Sequence, residues 1–183
     1  MRAIADDIHR AQELLLTMDA PVVVAVQGAA GGGGLGLALA GDFVLAGANA
    51  TFVAHYISIG LSADGGSTFL LPRLAGLGRA REMLLLDRRL SAQEARDWGL
   101  VCAVHDPEDL ERAAEALALR LSLGPTPAYG SIKRLLLASS QRDFRTQVDQ
   151  EAALIAKLSA TAQADEGIAA FRAKRPAVFG PAR

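Results

Sequence analysis

A run of glycines directly after a strand-like segment constrains this chain more than any other feature. The segment Ala29–Gly36 (AAGGGGLG) follows the β-branched run Val22–Val26, which is typical of a buried parallel strand. Glycines permit sharp turns and leave backbone N–H groups open to a ligand. The apolar run Leu37–Ala40 comes next and predicts a helix whose first amides lack acceptors. Such amides can hold an anion or a developing oxyanion, so the segment predicts a reaction site.

The composition is that of a single globular chain and excludes several classes of partner. Its 183 residues are 51% hydrophobic and 21% charged, which is enough to bury a sizeable core. A net charge of −1 without a basic stripe argues against nucleic acid. With Cys102 as the one cysteine, we expect no disulfide, no metal site and a reducing, cytoplasmic compartment. The apolar runs are far shorter than the roughly 20 residues of a membrane span, and the N-terminus lacks a signal-peptide core, so we expect no membrane contact.

Hydrophobic spacing predicts α/β structure in the first part of the chain. An amphipathic helix is expected from the start of the chain to near Pro21, because apolar residues recur at helical spacing: Ile4, Ile8, Ala11 and Leu15. The Ser91–Glu94 capping box predicts a helix that ends at Gly99. Strands are expected at residues 22–26, 43–45, 51–53 and 100–104, and a short helix is expected to be closed by Pro72.

The second part of the chain is predicted to be helical. From Pro107 onward, apolar residues form helical stripes; they are Leu110, Ala114, Leu117 and Leu121, then Ile132, Leu135 and Leu136, then Phe144, Val148, Ile155 and Leu158. We therefore divide the chain into a partial α/β core at residues 1–105 and a C-terminal helical region at residues 106–183. The helical region is expected to cover the pocket or to join subunits.

Several motifs in register resemble the crotonase (enoyl-CoA hydratase/isomerase) superfamily. The resemblance covers nearly all of the chain from Ala20 onward, and the pattern is closest to the isomerase branch, which includes ring-1,2-epoxyphenylacetyl-CoA isomerases. The matching segments are 20–28 (APVVVAVQG, similar to K-P-V-I-A-A-V-N-G), 32–42 (GGGLGLALAGD), 60–68, 71–73 (LPR), 90–95, 98–101 and 171–176 (FRAKRP) with Phe179. The fold implied is α/β, a crotonase-like repeated ββα core, N-terminally incomplete, with a C-terminal helical region.

The resemblance also implies a chemistry, in which backbone amides stabilise the enolate of an acyl-CoA thioester. It places one oxyanion donor at the N–H of Gly33 and substrate contacts at Gly32, Tyr56 and Gly65. Coenzyme A would be part of the substrate, so no separate cofactor is expected. The implied assembly is a homotrimer or hexamer, joined partly through the C-terminal helices. The alternative for the glycines is that they only allow close helix–strand packing.

The carboxylates decide between the activities of this family. In its hydratases two glutamates activate water; by register they would fall at Gly36 and Tyr56, and neither residue supplies a carboxylate. Asp64 matches the aspartate of the isomerase branch, where one carboxylate moves a proton between two carbons. We expect an apolar pocket to raise its pKa. The alternative for Asp64 is a helix N-cap, worth about 1 kcal/mol. We interpret His55 as a packed loop residue and Asp42 as structural.

The sequence is compatible with more than one function. The family's first strands, with one of two oxyanion donors, are not found before Pro21, which allows a truncated reading frame, an engineered shortening or a degenerate homologue that binds without turnover. The predicted function is an enoyl-CoA isomerase; the alternatives are an enoyl-CoA hydratase and a catalytically impaired acyl-CoA binder. Gly31-x-Gly33-x-x-Gly36 also fits a dinucleotide fingerprint, which expects an acidic residue about 20 residues further on. The region Ala48–Phe52 has none, and the next acid after it is Asp64, which disfavours a nicotinamide enzyme. The sequence does not identify the acyl chain.

Overall fold

The computed structural model describes residues 2–179 and divides the chain into two compact units. Unit 1 contains residues up to 16 and residues 22–118; unit 2 contains residues 17–21 and the chain from 119 onward. Within the described residues, every helix is too short or too polar to span a lipid bilayer.

Two three-stranded sheets form the strand framework of unit 1. The first is parallel, in the order β1 (Val23–Val26), β3 (Phe43–Gly47), β6 (Ala103–His105). The second has the order β2 (Ala29–Gly31), β4 (Thr51–Val53), β5 (Leu90–Ser91), with β2 and β4 parallel and β5 antiparallel to β4. The strands predicted at 22–26, 43–45 and 51–53 are confirmed.

Three predictions about strands are wrong in detail. β2 lies inside the segment predicted as a glycine loop, because its backbone pairs with β4 even though its side chains are small. β6 begins three residues later than the predicted start at Leu100, which is buried before the strand. β1 is only partly buried, with Ala25 exposed, because β1 is at the edge of its sheet in the described chain.

Six α-helices of the described chain accompany these strands. They are α1 (Arg2–Thr17), α2 (Gly33–Leu39), α3 (Ser67–Ala75), α4 (Leu77–Leu85), α5 (Ala92–Asp97) and α6 (Leu110–Ser122), which extends past the end of unit 1. The Ser91–Glu94 capping box is confirmed, with both reciprocal hydrogen bonds present. Pro72 does not close its helix as predicted. It lies inside α3, which continues to Ala75 because Leu70 and Leu71 anchor the helix in the core.

Unit 2 consists of helices around an apolar cavity. α7 (Thr126–Ser139), α8 (Phe144–Ser159) and α9 (Ala162–Arg172) border about 420 Å³ of space. Residues 17–21 belong to this unit because Asp19 pairs with Arg134 and the Ala20 carbonyl accepts from Lys133 Nζ at 3.1 Å. The predicted helices are confirmed, but several residues of the apolar stripes are exposed: Ile132, Leu136, Phe144 and Ile155.

A carboxylate secures the segment that follows α9. Glu166 accepts two hydrogen bonds from the Arg175 guanidinium, at 2.7 and 2.9 Å, and one from the Val178 amide at 2.9 Å. These donors, with the guanidinium contributing most, lower the pKa of Glu166 to about 2. The segment leads to Phe179, whose ring lies beside Gly167 and lines the apolar cavity.

We predict that Glu166→Gln destabilises unit 2 in a pH-dependent manner. Because the pKa is lower in the folded state than the ordinary 4.5, the stabilisation is present above about pH 4.5 and is lost as the pH falls towards 2. Denaturant unfolding of the full chain, wild type against variant, should show a difference at pH 7 that shrinks at pH 3. Glu115→Gln, exposed on α6, is the matched control for losing one carboxylate. A pH-independent difference for Glu166→Gln would contradict this assignment.

Candidate active site

A cleft of about 540 Å³ in unit 1 lies between α1 and the chain after β4. Its lining combines apolar and titratable side chains, chiefly Ile4, Ile8, His9, Tyr56, Leu61 and Asp64. Arg2 and Asp6 also line the cleft, and they form an ion pair at 3.2 Å. A mainly apolar cleft with a few convergent polar groups is the usual form of a small-molecule site.

Asp64 faces this cleft and bonds to a histidine on α1. Its Oδ1 lies 2.6 Å from His9 Nε2, where the imidazole N–H can donate to the carboxylate. The alternative of an N-cap is wrong, because α3 has Gly66 as its N-cap and receives no side-chain capping bond. The Asp64 carboxylate is therefore available to the cleft.

The pKa shift of Asp64 is opposite in direction to the one we expected. The amide of Gly65, followed by the His9 imidazole, lowers the pKa of the Asp64 carboxyl instead of raising it. The reason is solvent: the Asp64 side chain is 41% exposed, so desolvation is too small to offset the hydrogen bonds to the ionised form. Asp64 is ionised at neutral pH, and the hydrogen bonds make its carboxylate a weaker proton acceptor than an ordinary aspartate.

A tight turn connects Asp64 to α3. Gly65 and Gly66 both have left-handed φ angles, of 57° and 66°, which residues with a Cβ rarely adopt. At the end of the turn, the Ser67 hydroxyl and amide both donate to the Asp64 carbonyl, at 2.9 and 3.2 Å. The backbone conformation of the turn determines where the Asp64 carboxylate points.

The glycine segment lies against this turn. A Cβ built on Gly65 would fall 3.3 Å from the Gly33 Cα, and one built on Gly33 would fall 3.4 Å from Ile8 Cδ1 in the cleft wall. The N–H of Gly33 has no acceptor among the residues that the structure describes. α2 has only seven residues, so this single amide, rather than a long helix dipole, is the relevant donor. The predicted oxyanion donor therefore lies beside the turn that follows the predicted carboxylate.

Tyr56 forms part of the cleft wall. Its hydroxyl oxygen is buried beside Gly32 and Gly65, with no hydrogen-bond partner in the described chain. Burial, and then the negative charge of Asp64, raise the pKa of Tyr56 above its ordinary value, although the nearby Asp64 amide and Ser67 hydroxyl oppose the shift. The phenol therefore stays protonated and cannot act as a base. Tyr56 thus lies in the cleft wall, and its contact with a substrate stays a prediction.

The position that would carry a hydratase glutamate has no room for a side chain. A Cβ on Gly36 would lie 1.8 Å from the Gly65 carbonyl oxygen and 2.8 Å from Gln12 Nε2. Any residue larger than glycine at this position would displace the turn that carries Asp64. The glycine at 36 is thus required by the close approach of the turn to α2.

Two other polar residues have structural contacts. The interpretation of His55 as a packed residue is wrong, because its side chain is 55% exposed. Its Nδ1 lies 3.0 Å from Asp87 Oδ2, and it is outside the residues that line the cleft. Asp42 Oδ2 accepts from the Val22 amide at 2.7 Å, which ties the turn after α2 to the start of β1. Within residues 2–179, no group of three or more His, Cys, Asp or Glu side chains could hold a metal ion.

Sequence reasoning missed the contribution of α1. His9 and Gln12 both reach the Asp64 turn, His9 at the carboxylate and Gln12 at the Gly65 carbonyl. The available signal was their spacing: residues three apart on a helix lie on one face, and Ile8 adjoins them. A buried glutamine on a helix face indicates a hydrogen bond to another element.

Comparison with known proteins assigns the family. The enoyl-CoA hydratase/isomerase family model matches residues 3–181. This chain belongs to the enoyl-CoA hydratase/isomerase family. The crystal structure of an enoyl-CoA hydratase from Polaromonas sp. JS666 has the same crotonase fold, with a TM-score of 0.91 and 36% identity over 96% of this chain and 68% of that one.

The relatives have different activities. The 1,2-epoxyphenylacetyl-CoA isomerase of Escherichia coli K12 is 40% identical over 90% of this chain and 63% of its own length. The 4-chlorobenzoyl coenzyme A dehalogenase-1 of an Arthrobacter species is 33% identical over 91% of this chain and 60% of its own length. The chain thus spans about three fifths of the length of these curated relatives.

We predict that His9→Ala raises the pKa of the Asp64 carboxyl, because one of the hydrogen bonds that stabilise its ionised form is lost. The shift should be partial, since the Gly65 amide remains. A ¹³C NMR titration of the labelled carboxyl in the full chain measures it, and His55→Ala, outside the cleft, is the control. An unchanged Asp64 titration would show that His9 does not act on this carboxylate.

Proposed function

We propose that this chain is an isomerase of enoyl-CoA thioesters that moves a proton with one carboxylate. The observation that supports it best is the placement of Asp64: its carboxylate faces the cleft, while its own turn packs on Gly33, whose amide N–H has no acceptor in residues 2–179. A thioester oxygen held at this amide would bring the adjacent carbons near the carboxylate.

The proposed reaction has two proton transfers. Asp64 removes a proton from C2 of a 3-enoyl thioester, and the C2–H electron pair becomes part of a dienolate whose oxygen is stabilised by the Gly33 N–H. The proton then returns from Asp64 to C4, which forms the C4–H bond and leaves the double bond between C2 and C3. No water is consumed. The hydrogen bond from His9 orients the Asp64 carboxylate before the substrate enters.

The hydratase alternative is disfavoured by the geometry around Gly36. Water addition in the manner of the family's hydratases needs a second carboxylate, and the space at this position is filled by the Gly65 carbonyl. The alternative of an impaired acyl-CoA binder predicts thioester binding without proton transfer. For assembly, we propose a homotrimer or hexamer, supported by the apolar residues that α7 and α8 expose, such as Leu136 and Phe144.

A second candidate function follows from the Asp64–His9 pair. An ionised, partly exposed carboxylate beside an imidazole is also suited to nucleophilic catalysis. On a 4-chlorobenzoyl thioester, Asp64 would form a C–O bond to the ring carbon as the C–Cl bond breaks. Water, losing its proton to His9, would then hydrolyse the aspartyl ester and release the phenol. Chloride release from 4-chlorobenzoyl-CoA, without isomerisation of 3-hexenoyl-CoA, would establish this second function in place of the first.

We predict that Asp64→Asn lowers the rate of 3-hexenoyl-CoA isomerisation on the order of 10²- to 10⁴-fold, because the amide cannot accept the proton. The dissociation constant for the thioester should change by no more than about threefold, since the acyl-CoA contacts remain. Stopped-flow absorbance and calorimetric titration measure the two quantities. Asp106→Asn, at an exposed position outside the cleft, is the matched control. Retained isomerisation in Asp64→Asn would exclude the proposed role.

A further inference from the structure

We propose that Gln12 is the positioning residue for Asp64: it anchors α1 to the turn that carries the carboxylate, and so sets where the carboxylate lies in the cleft. The inference rests on the proposed function, since it concerns the geometry of the same site. Gln12 touches no reacting atom and acts through the backbone of Gly65.

Gln12 is the buried residue of α1. Its exposed fraction is 5%, whereas the neighbouring His9 side chain is 48% exposed. Gln12 Nε2 donates to the Gly65 carbonyl oxygen at 2.8 Å. In the described chain this carbonyl has no other donor, and Gly65 is itself buried. Gln12 is thus buried with its amide bonded to a single carbonyl. This arrangement indicates that the bond serves to hold the Gly65 carbonyl in place.

The turn needs a contact from another element, because its glycines have no side chains to hold the backbone in place. Gly65 and Gly66 lack side chains that could fix the chain, and each adopts a left-handed conformation. Ser67 fixes the far end through its bonds to the Asp64 carbonyl. Gln12 holds the middle of the turn through the Gly65 carbonyl. The bond lies between α1, α2 and the turn, in space that is open because Gly36 has no side chain.

α1 thereby acts on Asp64 at two points. His9 lies three residues before Gln12, on the same face of the helix, and bonds to the carboxylate. Gln12 fixes the backbone one residue after Asp64, and His9 fixes the side chain. The orientation of the carboxylate therefore follows the position of α1, which also contributes Ile8 to the cleft wall.

The test begins with Gln12→Leu, which keeps the approximate volume and removes the donor. We expect kcat for 3-hexenoyl-CoA to fall on the order of 10- to 100-fold, as for a reacting group displaced by about 1 Å. KM should stay within about threefold, because the thioester contacts are unaffected. Gln93→Leu, on the exposed face of α5, is the matched control, and circular dichroism establishes that both variants are folded.

Gln12→Glu gives a readout that a packing role would not. When ionised, the introduced carboxylate repels the Gly65 carbonyl, whereas its protonated form donates a hydrogen bond to that carbonyl. The ratio of kcat in Gln12→Glu to kcat in wild type should therefore rise as the pH falls through the pKa of the introduced carboxyl group. The same ratio for Gln12→Leu should not rise. A pH-independent ratio for Gln12→Glu, or an unchanged kcat in Gln12→Leu, would overturn the inference.

A measurement on the free protein separates this inference from the proposed function. In Gln12→Leu the turn loses its anchor, so the ¹³C-detected titration of the Asp64 carboxyl should move towards the ordinary aspartate value. This result requires no turnover. If wild type does not isomerise 3-hexenoyl-CoA but the Asp64 titration shifts in Gln12→Leu, the proposed function fails and the positioning role holds. An unchanged titration contradicts the positioning role whatever the activity.

Discussion

The candidate site depends on one close contact, the approach of the Gly65 carbonyl to α1 and α2. The carbonyl oxygen occupies the place where a Cβ of Gly36 would be, and Gln12 donates to it at 2.8 Å. This contact brings the Asp64 turn against Gly33 and leaves the Asp64 carboxylate facing the cleft. It also removes the space for a glutamate at position 36, so the packing that places one carboxylate excludes a second.

The electrostatics of the cleft assign different roles to Asp64 and Tyr56. Hydrogen bonds lower the pKa of Asp64, so its carboxylate is ionised at neutral pH and is a weaker proton acceptor than an ordinary aspartate. Burial and the charge of Asp64 raise the pKa of Tyr56, which stays neutral. One ionised carboxylate beside one neutral phenol is the arrangement on which we base the proposed proton transfer between substrate carbons.

Elements that depend on a local sequence pattern could be predicted from the sequence. Elements that depend on contacts between distant segments could not. Short apolar, β-branched runs located β1, β3 and β4, and the Ser91 capping box located the start of α5. The strand β2 was not predicted, because its small side chains form no hydrophobic pattern. Only its pairing with β4 defines it as a strand. The prediction that Pro72 ends its helix was wrong, because the buried Leu70 and Leu71, directly before the proline, hold α3 in place.

Within the site, too, local patterns could be predicted and long-range contacts could not. The glycine pattern and the resemblance placed Gly33 and Asp64 in one functional region, and the structure brings the Gly33 backbone against the turn that follows Asp64. The roles of His9 and Gln12 could not be foreseen, because each depends on a contact across more than 50 residues of chain. The direction of the Asp64 pKa shift depends on solvent exposure, which no single-sequence pattern records.

Mass spectrometry of 3-hexenoyl-CoA incubated with the full chain in heavy water shows whether one carboxylate carries a proton between substrate carbons. A partly exposed carboxylate that carries the proton between carbons exchanges it with solvent. We therefore predict deuterium in the acyl chain of an isomerised product of otherwise unchanged composition. A product heavier by one water, or recovery of unlabelled and unisomerised substrate, would contradict it.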